Sequence, residues 1–388
     1  MKKAPRLRFR GFQEDWELCK VKDFLIESKI KGSNGKIAKK LTVKLWRKGI
    51  VAKEEVYEGS LATQYYVRKS GQFMYGKLDF LNQAFGIVPI ELDGYESTVD
   101  SPSFDFKPLV DSVFFLEYVS LEKFYKYQGN IANGSRKAKR IHVETFFNMP
   151  LPTPSYKEQQ KIGTLFKQLD DTITLHQRKL EQLKELKKAY LQLMFPKKDE
   201  TVPRVRFADF EDDWQLCKLG ATFSIIMGQS PNSENYTENP DDYILVQGNS
   251  DMKNNKVVPR IWTTQVTKKA EKGDLILSVR APVGEIGKTD YNVVLGRGVA
   301  AVKGNDFIFQ QLRKMKDSGY WTRYSTGSTF ESINSNDIKE ALINIPNKDE
   351  QQKIGDLFTH LDDAIILNQN KLNQLKSLKK SYLQNMFI

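Results

Sequence analysis

A segment of 38 residues occurs twice in this chain, at residues 158–195 and again at residues 350–387. The two copies are identical at 27 of 38 positions and align without a gap. A shorter repeat, residues 5–20 and residues 203–218, also occurs once in each half. An internal repeat constrains the architecture before any local pattern is considered. The chain therefore consists of a lead-in, a variable insert and a long conserved segment, followed by the same three parts again.

Each long copy has the pattern of an amphipathic helix. Its seam residues recur at alternating steps of four and three, a mean period of about 3.5 that favours left-handed supercoiling against a partner helix. Two matched seams predict that the helices pair with each other, and the alternative is that each packs separately on its own domain. The predicted seam consists of Ile162, Phe166, Leu169, Ile173, His176, Leu180, Leu183 and Tyr190 in the first copy and Ile354, Phe358, Leu361, Ile365, Asn368, Leu372, Leu375 and Tyr382 in the second.

The two inserts, about residues 21–150 and 219–346, show no obvious similarity to each other. Segments 112–127 and 307–316 are predicted to be helices, because turn residues bound their apolar patterns. Trp16 in the first lead-in is predicted to be an anchor, as is Trp214 in the second. Apolar segments with turn residues nearby predict strands at Leu41–Trp46, Gln64–Val67, Gly86–Leu92, Tyr243–Gln247, Asp274–Val279 and Val299–Val302.

Basic, amide and hydroxyl side chains in the inserts suit contacts with nucleic acid. Cations on a loop can contact phosphates or base edges, arginine can pair with guanine, and asparagine or glutamine can pair with adenine. A solvated basic loop in the first insert, and surface or capping roles in the second, are the alternatives. The candidates are Arg136, Lys137, Lys139 and Arg140 in the first insert and Gln247, Asn249, Arg280, Arg297, Arg323, Ser328 and Thr329 in the second.

Composition excludes several classes of protein. The net charge of +12 favours a polyanionic partner. The apolar runs are too short for a membrane span, and the N-terminus lacks the pattern of a secretory signal. With two cysteines and no need for an oxidising compartment, we expect a cytoplasmic protein. Three histidines without metal-ligand spacing, and the lack of a Walker loop, predict neither catalytic nor metal-binding residues.

The repeated plan resembles the specificity subunit of type I restriction-modification systems. Two unlike inserts, each followed by a nearly identical helix that begins EQQKI, carry the resemblance. It covers essentially the whole chain, and the first insert departs more from the family's strings than the second. The supporting strings are Gly273–Gly287, Gly296–Ala300, Gly327–Thr329 and the junctions Pro154–Ile162 and Pro346–Ile354.

The resemblance implies an α+β fold with a pseudo-two-fold internal repeat. Two mixed α/β target-recognition domains are expected at residues 1–154 and 197–346, each containing its lead-in. An antiparallel coiled coil of two long helices, residues 155–196 and 347–388, is expected to separate them. The short linker between the first helix and the second lead-in independently favours an antiparallel pair, because the second helix must run back from the second insert.

The resemblance also implies a function and partners. Each target-recognition domain would read one half of a bipartite site in double-stranded DNA, and the coiled coil would set the gap. Two modification subunits would bind the helices, and restriction subunits would complete the assembly. This chain would be no enzyme and hold no cofactor, with S-adenosylmethionine, ATP and magnesium acting in the partner subunits. Leucines flanking the seam are candidates for the subunit interface, with packing on the inserts as the alternative: Leu165, Leu186, Leu193, Leu357 and Leu378.

Two other classes of protein remain open. A coiled-coil assembly or decoy protein would bind modification subunits without reading DNA sequence, and its DNA affinity would depend on salt but not on site. A nuclease or methyltransferase with an unrecognised site would show metal-dependent or S-adenosylmethionine-dependent activity as the purified chain.

Overall fold

The computed structural model describes residues 4–54, 60–131, 140–197, 199–324 and 332–388. The chain forms two compact units. Unit 1 consists of Met1–Gln177 and Lys371–Ile388, and unit 2 consists of Arg178–Asn370. Each unit therefore contains one insert and one half of each long helix.

The elements follow the order that the repeat predicts. The first half of the chain contains β1 (Glu17–Lys20), β2 (Leu25–Ser28), β3 (Lys31–Asn34), β4 (Leu41–Val43), β5 (Ile50–Ala52), β6 (Gln64–Val67), β7 (Phe73–Tyr75), β8 (Phe85–Ile87), β9 (Glu96–Ser97), β10 (Ser103–Phe106), β11 (Pro150–Thr153), α1 (Ser112–Val119), α2 (Glu122–Ile131), α3 (Val143–Phe147) and α4 (Tyr156–Leu193). The second half contains β12 (Gln215–Lys218), β13 (Ile225–Met227), β14 (Tyr236–Thr237), β15 (Tyr243–Val246), β16 (Met252–Lys253), β17 (Lys256–Val257), β18 (Trp262–Thr263), β19 (Lys268–Ala270), β20 (Leu275–Ser278), β21 (Ile286–Lys288), β22 (Val293–Leu295), β23 (Val299–Val302), β24 (Leu342–Ile345), α5 (Leu219–Thr222), α6 (Asp306–Asp317), α7 (Ser335–Lys339) and α8 (Lys348–Asn385). Short 3-10 helices lie at Val21–Asp23, Phe80–Asn82, Ile90–Leu92, Ser233–Asn235, Asn249–Asp251 and Tyr320–Tyr324.

Each insert contains a sheet with the same arrangement of four strands, despite their different sequences. In unit 1 the antiparallel strand order is β2-β10-β7-β8, and in unit 2 the order β13-β23-β20-β21 begins a six-stranded sheet. In each unit the second strand of this order immediately precedes a helix, α1 or α6. A common four-stranded core therefore underlies both inserts.

The units differ in what surrounds that core. Unit 1 adds the three-stranded sheet β3-β6-β9 and the pair β4-β5, whereas unit 2 adds the five-stranded sheet β14-β18-β15-β22-β19. Within this last sheet, β15 runs parallel to β22. The additions are where the two inserts differ most in architecture.

The lead-in repeat attaches to the start of the long helix in the same way in both units. β1 pairs antiparallel with β11, and β12 with β24, so each lead-in strand lies beside the strand that precedes its helix. Arg8 Nε lies 2.7 Å from Oε1 of Glu158, and Arg206 Nε lies 2.8 Å from Oε1 of Glu350. Both carboxylates are fully buried, so each needs its two-pronged arginine partner.

Aromatic clusters join the helix ends to the inserts. In unit 1, the ring centroid of Phe387 lies 5.6 Å from those of Phe114 and Phe166. In unit 2, the ring centroid of Phe195 lies 5.3 Å from that of Phe307 and 5.9 Å from that of Phe358. The two predicted anchors belong to these clusters, since Trp16 packs on Phe114 and Phe387, and Trp214 packs on Phe195 and Phe307.

The long helices lie antiparallel within each unit. In unit 1, Phe166 of α4 contacts Phe387, two residues beyond α8, and one turn further along α4, Asp170 forms an ion pair of 2.6 Å with Lys379 of α8. The partner residue number falls as the α4 number rises, which defines the antiparallel direction. Unit 2 repeats the pattern, with Lys187 Nζ 2.5 Å from Asp362 Oδ1 and Phe195 against Phe358.

The structure places all predicted seam residues in buried or half-buried positions. Ile162, Phe166, Ile354 and Phe358 are almost completely buried. Asn368 is also buried, and its amide donates a hydrogen bond of 2.8 Å to the carbonyl of Ala364 in its own helix. The polar seam position is thus satisfied locally.

Several sequence-based boundaries were wrong. The predicted helix 112–127 is two helices, because Ser120 ends α1 and its hydroxyl bonds the carbonyl of Leu116 at 2.6 Å. The predicted strand 86–92 ends at Ile87, and a 3-10 helix follows Pro89. The predicted strand 41–46 ends at Val43, since Trp46 adopts a left-handed φ of 58° that a strand cannot contain. Among the described residues, no helix is both long and apolar enough to span a membrane.

Candidate nucleic-acid interface

In unit 2, four of the predicted DNA-contacting residues meet in one cavity. The cavity has a volume of about 560 Å³ and lies where the end of β15 approaches the segments after β20 and before β23. Its lining contains two arginines and, among the described residues, no acidic side chain. The lining residues are Gln247, Asn249, Arg280 and Arg297 together with Ser230, Tyr236, Gly248, Ser250, Ser278, Ala281, Pro282 and Gly298.

A glycine allows these segments to approach each other closely. A Cβ atom built on Gly298 would lie 2.1 Å from the carbonyl oxygen of Gln247, so a side chain at this position would collide with the backbone. The backbone N–H of the preceding Arg297 donates a hydrogen bond of 3.1 Å to Ser230 Oγ. The glycine thus places Arg297 beside the turn that contains Gln247 and Asn249.

Asp251 holds that turn in place. Its carboxylate is buried and accepts hydrogen bonds from the backbone N–H groups of Gln247 at 2.7 Å and Gly248 at 3.2 Å. Arg260 Nε donates to the other carboxylate oxygen at 2.8 Å. Asp251 fixes the backbone of this turn, so the side-chain amides of Gln247 and Asn249 are not needed to hold it. Neither side-chain amide forms a hydrogen bond with another described residue.

Arg280 and Arg297 are exposed cations without a carboxylate partner in the part of the chain that the structure describes. The backbone at Arg280 is held by a bridge to Ser332 and by the hydroxyl of Ser278, which donates to the Arg280 carbonyl at 2.8 Å. A guanidinium fixed at its backbone and free at its head can donate two parallel hydrogen bonds to a guanine edge or a phosphate.

The remaining candidates of the second insert are only partly located. Arg323 lies in the 3-10 helix Tyr320–Tyr324, and its side chain is not described. Ser328 and Thr329 lie outside the described residues.

In unit 1, Arg140 is the one residue of the predicted basic cluster that lies within the described ranges. Its guanidinium is exposed and forms an ion pair of 2.9 Å with Asp100. The backbone N–H of Lys77, just after β7, donates to the Asp100 carbonyl at 2.9 Å. Burial lowers the pKa of Lys77. Arg136, Lys137 and Lys139 lie outside the described residues.

The residues that follow the two predicted loops are attached at equivalent strands of the two sheets. In unit 1, the N–H of Ile141 donates to the carbonyl of Lys77, two residues after β7, at 2.9 Å. In unit 2, the N–H of Ile333 donates to the carbonyl of Val279, one residue after β20, at 3.0 Å. β7 and β20 are both the third strand of the common order. After each loop, the chain is therefore held just beyond the C-terminal end of the equivalent strand.

Sequence reasoning missed residues that only the topology reveals. Lys77 was missed because its position just beyond β7, like that of Arg280 beyond β20, becomes visible only once the two sheets are aligned. Tyr236 and Ser230 line the unit 2 cavity but are far in sequence from the predicted candidates there. Arg260 was missed because it acts through Asp251, and no local pattern marks that ion pair.

The five candidate interface leucines fall into two groups. Leu165 and Leu357 pack against the cores of their units, and Leu193 is half-buried. Leu186 and Leu378, which are equivalent positions of the long repeat, are 41% and 40% exposed. The second group therefore exposes more apolar surface to a partner than the first.

Comparison with known proteins gives a consistent result. Residues 95–185 and 211–377, more than half of the chain, match the family model of the type I restriction modification DNA specificity domain. The putative type I restriction enzyme MjaX specificity subunit of Methanocaldococcus jannaschii is 26% identical over 282 residues. That alignment covers 70% of this chain and 65% of the relative, so the chain spans about two thirds of the relative's length.

Solved structures share the fold. The S subunit of the type I restriction-modification system from M. genitalium has a TM-score of 0.63 at 13% identity, and the match covers 99% of both chains. A chain from a structure concerning complex assembly and conformational transition of the type I R-M system has a TM-score of 0.53 at 20% identity, covering 96% of this chain and 97% of that one.

Proposed function

This chain belongs to the family of type I restriction modification DNA specificity domains, and on that premise we propose that it selects the DNA sequence for a restriction-modification complex. Each insert, within the target-recognition domains at residues 1–154 and 197–346, reads one half of a bipartite site. Residues 155–196 and 347–388 form the spacer between them.

The observation that carries this proposal is the cavity in unit 2. Within the described ranges, the two arginines have no acidic partner and the two side-chain amides have no hydrogen bond. All four line one concave surface, which matches the hydrogen-bonding needs of base edges. The lack of an acidic side chain in its described lining favours a polyanion over a cationic ligand. In unit 1, Arg140 and Lys77 supply positive charge just beyond the C-terminal end of β7, the strand equivalent to β20.

The long helices would set the distance between the two half-sites. Each is 38 residues long, about 57 Å at 1.5 Å per residue. Successive major-groove faces on one side of DNA are about 34–36 Å apart, so a spacer of this length suits half-sites about one turn apart with unread bases between them. Phosphate contacts would position each insert, and a few side chains would specify the bases.

The proposed partners supply the chemistry. Two modification subunits bind the helix pair and use S-adenosylmethionine, and restriction subunits use ATP and magnesium. The chain itself acts without a cofactor, as a non-catalytic subunit in the cytoplasm. Leu186 and Leu378, exposed at equivalent repeat positions, support a docking surface on the helices.

The proposal is tested by expressing the chain with its modification subunit in cells and mapping every methylated base in their DNA. We expect one bipartite motif with a fixed gap. Arg280→Ala with Arg297→Ala should relax the half-site read by unit 2 and leave the other half-site unchanged. A chain that binds the modification subunit but produces no motif would instead be an assembly or decoy protein.

A further inference from the structure

Unit 2 contains a second, larger cavity that the DNA-reading role does not use. Its volume is about 680 Å³, and its walls come from the C-terminal half of α4, α6, the N-terminal half of α8 and the turn between β16 and β17. Its lining is rich in cations. The charged residues in its lining are Lys184, Lys187, Lys188, Arg313, Lys314, Asp317 and Asp362.

The positive charge of this cavity is not balanced by the side chains that line it. Five cations face two carboxylates. Asp362 is shared, because Lys187 Nζ lies 2.5 Å from its Oδ1 while Arg313 Nη1 lies 3.8 Å from the same oxygen. That Nη1 atom is buried and has no hydrogen-bond partner among the described residues. Five cations against two carboxylates leave the lining with a net positive charge, so the site is suited to an added anion.

In unit 1, the buried lysine and the arginine of the equivalent region are both paired with carboxylates at short distances. Lys379 occupies the repeat position of Lys187, and its Nζ lies 2.6 Å from Asp170 and 3.1 Å from Glu117. Arg47 Nη1 completes the cluster at 2.7 Å from Glu117. With the equivalent lysines Lys376 and Lys380, unit 1 has four cations and two carboxylates in this region, against five and two in unit 2. The three lysines of the long helix are common to both units, and Arg313 and Lys314 come from the second insert.

We propose that the unit 2 cavity binds a small organic anion that carries a phosphate group. Arginine and lysine side chains are the usual partners of phosphate oxygens, and Arg313 lines the cavity together with four lysines. Leu191, Ile365 and Ile366 supply an apolar wall for the organic part of the ligand. The volume lies within the range of about 300–1,000 Å³ that is typical of small-molecule sites.

The cations give this site a characteristic pH dependence. Burial, then the charge of Arg313, lowers the pKa of Lys187 to about 8 against the opposing attraction of Asp362 and Asp317. Burial lowers the pKa of Lys314 to about 8, with Glu200 opposing. The exposed Lys184 and Lys188 on α4 add positive charge at the cavity. A bound phosphate favours protonated lysines, so binding takes up protons near pH 8, and affinity falls as the pH rises through 8.

The experiment is isothermal titration of the full chain with adenosine monophosphate, with inorganic phosphate and adenosine as separate arms. We expect the nucleotide to bind more tightly than phosphate and adenosine not to bind, because the site uses both charge and apolar contact. Affinity for the nucleotide should fall at least tenfold between pH 7 and pH 9.5, and titrations in buffers of different ionisation enthalpy should report proton uptake at pH 8.

Matched variants locate the binding. Arg313→Gln and Lys314→Gln should each weaken nucleotide binding at least tenfold. Lys184→Gln with Lys188→Gln should weaken it several-fold, whereas Lys376→Gln with Lys380→Gln, the same change at the equivalent repeat positions of unit 1, should leave it unchanged. Far-ultraviolet circular dichroism and thermal unfolding of each variant identify any that fails to fold.

Two results would overturn the proposal. Equal loss in both lysine double variants would show binding by general surface charge. Displacement of the nucleotide by an unrelated DNA duplex, with equal potency per phosphate, would show that the cavity is a contact for the DNA backbone. Neither result depends on sequence-specific recognition, so the proposed function in DNA recognition stands or falls separately.

Discussion

Arg297 shows how one residue acquires a role from the backbone around it. The glycine that follows it allows contact with the carbonyl of Gln247, and the hydroxyl of Ser230 holds its N–H. Its guanidinium remains exposed and, within the described ranges, has no acidic partner. A surface cation in an ion pair, such as Arg140 with Asp100, would have to break that pair to bind DNA. Arg297 has no such pair to break among the described residues.

We therefore predict that Arg297→Ala weakens binding to the methylated motif by about 1–3 kcal/mol, which is the usual contribution of a two-pronged arginine–base contact. Binding to an unrelated duplex should change much less, because that binding depends on phosphates. Fluorescence anisotropy with both duplexes at one salt concentration measures the difference.

Lys272→Gln is a suitable control, since it removes an exposed charge outside the cavity lining. It should weaken binding to both duplexes by the same small factor. If Arg297→Ala also weakened both duplexes equally, Arg297 would contact phosphate and carry no sequence information.

At the scale of elements, a polar cluster fixes the end of α8 to unit 1. Glu117 on α1 is almost fully buried and bonds Arg47 at 2.7 Å and Lys379 of α8 at 3.1 Å. Burial opposes ionisation of Glu117, but the hydrogen bonds and charges of Arg47 and Lys379 outweigh it and lower its pKa below the ordinary 4.5. The cluster thus joins an insert helix to a conserved helix through charge.

This lowered pKa predicts a pH dependence of stability. A carboxylate whose pKa is lower in the folded chain contributes stability that is fully present above the unfolded pKa and is lost as the pH falls through the folded pKa. Glu117→Gln should therefore reduce the local unfolding free energy of α1 at pH 7 by about 3–5 kcal/mol, with a smaller difference from the unmodified chain below pH 4.5. Hydrogen exchange of the amides of residues 112–119 measures this.

The control is Glu122→Gln, which removes an exposed carboxylate paired with Lys126 on α2. An exposed ion pair contributes little to stability, so this variant should behave like the unmodified chain. A difference for Glu117→Gln that stayed constant from pH 7 to pH 3 would contradict the assigned titration.

The elements differ in how far the sequence predicted them. Both long helices were predicted to within three residues at every end, because a regular period sustained over 38 residues is compatible only with a long helix. Strands β6 and β23 were also correct. The helix break at Ser120 and the left-handed Trp46 were missed, since the first depends on a hydroxyl bonding its own backbone and the second on a turn that tertiary contacts hold.

The candidate site was also predicted only in part from the sequence. The types of residue were predictable, because arginine and amide side chains near strand ends suit base edges. Their convergence was not, since Gln247 and Arg297 are brought together by the parallel pairing of β15 with β22. The common sheet of the two inserts was also invisible in the sequence, because backbone pairing can persist after side-chain identity is lost.

The exposed leucines of the helices lead to a prediction about partners. Leu186→Asp with Leu378→Asp should abolish most binding of the modification subunit and change the unfolding midpoint little, because both side chains are already about 40% exposed. Leu165→Asp with Leu357→Asp is the matched control, since these leucines pack on the cores. That control should lower the unfolding midpoint strongly. Co-purification and thermal unfolding measure the two effects, and equal loss of both by the first pair would refute a docking role.

At the scale of the whole molecule, the proposed spacer makes the gap in the DNA site a property of helix length. The antiparallel contacts in each unit match residue 170 with 379 and residue 187 with 362. An insertion after Gln177 in α4 therefore corresponds, to within one residue, to one after Asn370 in α8, and at both points the chain passes from one compact unit to the other. Seven residues preserve the heptad phase of both seams.

We predict that inserting seven helical residues at both points lengthens the unread gap by about three base pairs, because seven residues add about 10 Å and each base pair about 3.4 Å. The two half-sites should remain the same, since neither insert is altered. Mapping methylated bases in cells that carry the lengthened chain and its modification subunit measures both quantities. Inserting seven residues in α4 alone is the control, and it should abolish methylation because the seams no longer match. A lengthened chain that methylates the original gap would show that the helices do not set the spacing.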